Sequence, residues 1–275
     1  EILIYVHNGV TSMNLTNCNI INSSTSSNHG GLIYFRCYNS GVTNLTMANL
    51  TINNSLAKNG AGGLIYVYGS FNGFDFINNT VDNSLAKNGA GGLIYVYSAL
   101  TNANLINSNI TNSSSKNQGG VIYVGGKTTN IVIDNCNITN TSASGNGGVI
   151  SLNGGTDNVR IYNTQFENYR QFATSKITNG GVIYLTASQD IDIQNVSFKN
   201  NLNLETDGYG GILYILSANN VNLYNVNFTH TNIKSGSKSG GAMYLGSAAR
   251  DVMLTNVIFE KSLDRKSGSA GMPRP

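Results

Sequence analysis

NSLAKNGAGGLIYVY, residues 54–68, recurs unchanged as residues 83–97. A unit copied intact is the mark of a repeat protein, and looser copies extend it along the chain. Reduced to Gly-Gly-aliphatic-aliphatic-Tyr-aliphatic, the frame begins at Gly30, Gly62, Gly91, Gly119, Gly147, Gly180, Gly210 and Gly240, in steps of 28 to 33 residues. Leu3-Ile4-Tyr5-Val6 fits the same frame without the glycines, which makes nine copies, the first entered in mid-coil.

Aligning the copies on the glycines exposes a second frame, aliphatic-x-aliphatic-x-Asn-x-x-apolar-x-polar, clearest from Val159 to Asn168. Its central asparagine falls at Asn17, Asn49, Asn78, Asn107, Asn135, Asn163, Asn195, Asn225 and Asn256. The later polar place holds Asn22, Asn54, Asn83, Asn112, Asn140, Asn168 and Asn200, then His230 and Lys261. Each copy therefore carries three short period-two segments separated by Gly, Asn and Ser turns, which is a strand pattern. The fold class is all-β: a right-handed parallel β-helix of about nine three-strand coils, a rod roughly 43 Å long at ~4.8 Å per coil. One coil cannot bury its apolar face alone, so the coils must stack. Stacking lines the asparagines into a structural ladder of side-chain amides, expected on the inside of the coil. The Gly-Gly pairs read as backbone that needs positive φ or close approach, not as a phosphate cradle.

Composition agrees. Of 275 residues, 44 are Asn and 32 Gly, charged residues are 11% and Trp is absent. Such a chain disfavours long helices. Both prolines, Pro273 and Pro275, stand at the end, so no proline-marked linker divides the body. One domain is expected over residues 1–262, with 263–275 as a tail or linker. A net charge of +3 is too small and diffuse for a nucleic-acid partner. No apolar run reaches the ~20 residues of a membrane span. Cys18, Cys37 and Cys136 are too few and too scattered for a disulfide framework or a zinc site, and read as buried or half-buried thiols. His7, His29 and His230 fall in three different coils, so no metal or cofactor is expected.

The Gly-Gly-aliphatic-Ile-Tyr frame, together with Phe76-Ile-Asn-Asn79 and Phe198-Lys-Asn-Asn201, resembles the polymorphic outer membrane protein repeats, whose marks are a GG-aliphatic-Ile box and an F-x-x-N box. Other coils carry the second box one residue short, as in Phe166-Glu-Asn168. The resemblance covers nearly all of residues 1–262. It implies a pectin-lyase-like β-helix serving as a surface adhesin, and it implies no chemistry.

Several pectin-lyase-like helices cleave acidic polysaccharides, so a lyase or hydrolase is the alternative. Hydrolysis asks for two carboxylates about 5–10 Å apart. The best pairs are Asp190 with Asp192 and, in a longer turn near Tyr169, Arg170 and Phe172, Glu205 with Asp207. Alignment sets Arg160 beside Asp192 and Glu167 beside Lys199, so cross-strand ion pairs explain the first set better.

If the second and fourth apolar residues of each Gly-Gly box enter the core, the first and the tyrosine face out. That predicts an outward column of Tyr5, Tyr34, Tyr66, Tyr95, Tyr123, Tyr184, Tyr214 and Tyr244, interrupted by Ser151. Beside it would run an exposed aliphatic column from Leu3 and Leu32 through Leu64, Leu93, Val121, Val149, Val182 and Ile212 to Ala242. An apolar strip of that size calls for a cover. Lys58, Lys87 and Lys116 form a basic edge at one turn. Twelve Asn-x-Ser/Thr sequons occur; Asn14, Asn44, Asn109, Asn137 and Asn227 alternate to the outside and are the glycan candidates on a eukaryotic secretory route. The expectation is a non-catalytic, secreted or cell-surface structural or adhesive protein, a surface adhesin or a building block of a filamentous assembly. Its partner would be itself or another solenoid, laterally or head to tail through unpaired coil ends, or surface glycans. An ice-binding role lacks the outward Thr-x-Thr array it would need.

Overall fold

The computed structural model describes residues 3–26, 29–38, 40–171, 179–186, 188–206, 209, 211–230, 232–235, 241–246, 249–260 and 263–264. Gly210, Gly240, Asp207 and Lys261 lie outside the described residues, as does the expected tail beyond 264.

Each coil is a polygon whose corners are residues in the left-handed region. The central asparagines, Asn17 to Asn256, all sit at φ between 47° and 56°. The second column, Asn22 to Asn200 with His230 at its end, does the same between 51° and 60°. A third column, Asn44, Gly73, Asn102, Asn130, Asn158, Asp190, Asn220 and Asp251, makes another corner. Glycine, Asn and Asp are the residues that reach this region at least cost, so the composition follows from the corner count. The first glycine of the Gly-Gly box, as at Gly62 with φ 66°, completes the turn.

Between corners the chain is extended, and among the described residues every strand pairing is parallel. Nine three-residue strands, from Ile4–Val6 through Ile65–Val67 to Met243–Leu245, form one sheet. Strands such as Phe71–Ile77 and Thr80–Ala86 form the remaining walls. The result is the expected right-handed parallel β-solenoid, of about eight turns. Leu263–Asp264 still pairs with Asn232 and Ile233, so the ladder runs two residues past the expected boundary at 262.

The core is a stack of in-register apolar columns. Ile33, Ile65, Ile94, Ile122, Ile150, Ile183 and Leu213 form one, each at most 4% exposed. Ile52, Val81, Ile110 and Ile138 form another, which continues as Phe166, Phe198 and Phe228 with rings 5.0–5.1 Å apart. Cys37 and Cys136 are buried, whereas Cys18 is exposed.

The asparagine ladder exists, but on the outside. Asn49 Nδ2 donates to Asn17 Oδ1 at 3.1 Å, and Asn78 to Asn49, Asn195 to Asn163, Asn225 to Asn195 and Asn256 to Asn225 follow at 3.1–3.2 Å. The left-handed backbone swings these amides to solvent and sends the next residue inward: Leu50, Asn79, Cys136, Thr164 and Val196 are at most 3% exposed. Asn195→Ala should cost about 2 kcal/mol, combining left-handed strain with lost amide bonds, while Asn195→Gly loses only the bonds and should cost about 1. Urea unfolding of the two variants separates them; equal losses would refute the corner argument.

The two full F-x-x-N boxes have one physical meaning at two different corners. The phenylalanine fills the core, the first Asn takes the left-handed corner, and the second turns inside. Asn79 donates to the Met47 carbonyl at 2.9 Å and accepts from the Leu50 amide at 2.8 Å. Asn201 does the same to Phe166 O at 3.1 Å and Tyr169 N at 3.0 Å. Each thereby satisfies two backbone groups of the preceding coil that the corner would leave buried and unpaired.

Candidate functional site

The sheet of nine short strands carries the tyrosine column, and the geometry of the Gly-Gly turn decides what accompanies it. Leu64 N and Ile65 N both donate to Leu93 O, at 2.9 and 3.0 Å, and Leu93 N and Ile94 N repeat this on Val121 O. The strand therefore begins only at the second aliphatic, and alternation cannot be extended back through the first. The expected exposed aliphatic column is in fact buried: Leu32, Leu64, Leu93, Val121, Val149, Val182, Ile212 and Ala242 are at most 7% exposed, and only Leu3, at 62%, faces solvent.

The tyrosines share one wall but not one exposure: Tyr5 is exposed, Tyr34, Tyr95, Tyr123, Tyr184 and Tyr244 are half-buried, and Tyr66 and Tyr214, expected to face out, are buried at 5% and 7% exposure. Tyr66 and Tyr95, then Tyr95 and Tyr123, stack at 4.9 Å with ring planes within 11°. Tyr184, Tyr214 and Tyr244 stack likewise at 5.0–5.1 Å. Tyr5, Tyr34 and Tyr66 meet edge to face. Because the rings stack along the rod, their faces cover each other. Burial pushes Tyr95 up to about 12 and raises Tyr34, Tyr66, Tyr123, Tyr184 and Tyr214, with neighbouring phenols adding to it at Tyr66, Tyr95, Tyr123 and Tyr214. At Ser151 the column is interrupted by a hydroxyl that meets Gln118 Oε1 at 3.1 Å.

A second tyrosine column, not anticipated from the sequence, lies two residues along. Tyr68 and Tyr97 stack at 4.8 Å, Tyr38, four residues after Tyr34, meets Tyr68 edge to face at 4.7 Å, and Tyr38 and Tyr97 are each 53% exposed. Arg36 Nε donates to Tyr38 Oη at 2.8 Å. His29 lies flat on Tyr66 at 4.0 Å, and its Nδ1 accepts from the Ala61 amide at 2.9 Å. That acceptor role and partial burial, which lowers its pKa, make it a neutral member of the aromatic face.

On another wall, Asp157, Arg160, Gln189, Asp190, Asp192, Asn220 and Asn222 line a shallow polar groove. Asp190 sits at a corner and accepts from Asn220 Nδ2 at 2.6 Å. Asp192 accepts from Tyr162 at 2.6 Å, Asn222 at 2.8 Å and Gln194 at 2.9 Å. Burial and this bond to Asp192 push the Tyr162 phenol up to about 12. Arg160 is in register with Asp192, yet the ion pair found among the described residues is the other one, Lys199 with Glu167 at 3.6 Å. The pattern is general: Asp75, Asp82, Asp134 and Asp157 also accept amide donors from the following coil. The side chain of Glu205 lies outside the described residues, as does Asp207.

Of the glycan candidates, Asn14, Asn44, Asn109 and Asn137 are exposed and Asn227 is half-buried. Asn44 is a left-handed corner, and Asn137 donates to Asn109 at 3.0 Å, so neighbouring coils compete for the same space. Lys58, Lys87 and Lys116 are exposed on three successive coils. Compared with protein-family models, curated proteins and solved structures, the chain matches none of them.

Proposed function

We propose that this chain is a non-catalytic structural or adhesive rod, working at the cell surface or outside the cell, whose tyrosine-bearing face is its contact surface. The observation that carries this reading is the aromatic strip of half-buried Tyr34, Tyr95 and Tyr123 beside Tyr38, Tyr68 and Tyr97. Tyrosine suits such a role because it offers apolar area and a hydroxyl with few rotatable bonds. The use of carboxylates as ladder acceptors also favours a scaffold over the polysaccharide-cleaving alternative. Likeness to the polymorphic outer membrane protein repeats supports the adhesin form of the proposal.

With the aliphatic column buried, the strip is narrow. Two columns about 7 Å apart over four strands about 4.8 Å apart offer only on the order of 130 Å² per rod, about a sixth of what each partner gives to a standard interface. Side-by-side association is therefore weak for one rod and gains strength by repetition along an assembly. Sedimentation velocity over rising concentration should show reversible association of the unmodified chain. A Tyr38→Ser, Tyr68→Ser, Tyr97→Ser variant with an unchanged melting curve should stay monomeric. A chain that remains monomeric throughout sinks this reading.

A further inference from the structure

The residue before each Gly-Gly box governs what lies against the tyrosine of the next coil. His29 fills that place with an imidazole on Tyr66, and Tyr209 fills it with a phenol 4.6 Å from Tyr244. At Ala61 and Ala90 the side chain is a methyl group, and there a groove opens, lined by Ala61, Ala90, Tyr95, Tyr123, Gln118 and Lys116. The same coils carry the lysine column. Lys58 N, Lys87 N and Lys116 N donate to Thr25 O, Ala57 O and Ala86 O, which places the three lysines in register, one strand spacing apart. Above and below them the column holds Ser26 and Ser144. The contact made by these ammonium groups is Lys116 Nζ to Asn88 Oδ1 at 3.5 Å, and none of the three joins an ion pair among the described residues.

From this we infer that the column of Lys58, Lys87 and Lys116, together with the groove that Lys116 borders, binds a linear acidic polysaccharide, one anionic sugar to each lysine. Like charges placed directly opposite on neighbouring strands oppose folding, so the column stores a field that an anion relieves. The Lys-Asn unit recurs at Lys58-Asn59, Lys87-Asn88 and Lys116-Asn117, and Tyr95 and Tyr123 line the groove beside the last of them, whereas Tyr66 is covered by His29. A site translated three times along one axis suits a ligand that is itself a repeating chain. An extended acidic peptide presents like-facing side chains about every 6.7 Å, out of step with lysines about 4.8 Å apart. Each ammonium meets an anionic group, while Tyr95, Tyr123 and the amides of the groove meet ring carbons and hydroxyls.

The test uses the whole chain and size-graded oligosaccharides, one series carrying carboxylates (oligouronates) and one carrying sulfates, with neutral dextran and polyglutamate alongside, read by calorimetry at several salt concentrations. A charged trisaccharide should bind at least tenfold more tightly than the monosaccharide. Binding should weaken as salt rises, and the Lys58→Gln, Lys87→Gln, Lys116→Gln variant should lose at least tenfold. Lys127→Gln, outside the groove, should bind as the unmodified chain does. The carboxylate and sulfate series show which anion the site prefers; binding to either supports the inference. Equal binding of polyglutamate or dextran, no binding of either charged series, or an unaffected triple variant overturns it. The Tyr38, Tyr68 and Tyr97 variant should retain this binding, so lateral association and glycan capture fail or stand separately.

Discussion

Gly92→Ala should abolish folding. A methyl group there would lie 1.9 Å from the Gly120 carbonyl oxygen and 2.6 Å from that of Ser114, both main-chain atoms. Neither can yield, because Gly92 N is bonded to Gly119 O at 2.9 Å and holds the coils at their spacing. Opening that spacing breaks the ladder on both sides, a cost above about 4–5 kcal/mol, comparable with the whole stability of an ordinary domain. Gly63 faces the oxygen of Gly92 in the same way. Gly73→Asn is the contrast. Its φ of 76° suits Asn, and the atom met at 2.5 Å is the movable Oδ1 of Asn44. Asn already occupies this corner at Asn44, Asn102 and Asn130, so the change should be neutral within about 1 kcal/mol. Circular dichroism and urea titration of the two variants decide the matter: a soluble, cooperatively folded Gly92→Ala chain would disprove the close-approach account.

What the sequence made legible was whatever repeats in the same place in every coil. The Gly-Gly frame and the central asparagines mark the nine-stranded sheet and its neighbouring corner. A period-two rule does not carry through a bend. Leu64 was expected outside because Ile65 is inside, but both precede or begin the strand after a left-handed glycine, and both enter. The same neglect of backbone handedness put the asparagine ladder indoors. A signal for the third corner column was present: Asn44, Asn49 and Asn54 are five residues apart, as are Asn102, Asn107 and Asn112, and Asn130, Asn135 and Asn140. That five-residue beat is the corner spacing of the solenoid. The second tyrosine column was also written in the copied unit, as Tyr68 and Tyr97, but Gly125 replaces it one coil later and hides the pattern. The candidate site was thus half legible: Tyr66, Tyr95, Tyr123 and the lysines were named, whereas the groove between them depends on Ala61 and Ala90 being small, which only neighbouring coils reveal.

Phe198→Ala should destabilise the chain by about 3–5 kcal/mol, the usual cost of emptying a buried aromatic site. Phe198 is fully buried between Phe166, at 5.1 Å and 9°, and Phe228, at 5.0 Å and 6°. Its neighbours cannot collapse into the space, since each is held at the strand spacing by its own coil, so the cavity persists. Phe198→Ile tests the cause. Isoleucine fills the equivalent place at Ile52, Ile110 and Ile138, so the backbone there accepts it. The variant keeps most of the volume and loses two ring pairs at about 0.5–1.5 kcal/mol each, for a total near 2. The local character of the loss is the sharper prediction. In a solenoid each coil touches only its neighbours, so damage at coil seven should raise amide exchange in coils six to eight and spare coils three and four. Hydrogen exchange resolved along the chain would show that gradient; a uniform rise in exchange from Asn49 to Asn256 would mean instead that the rod unfolds as one cooperative unit.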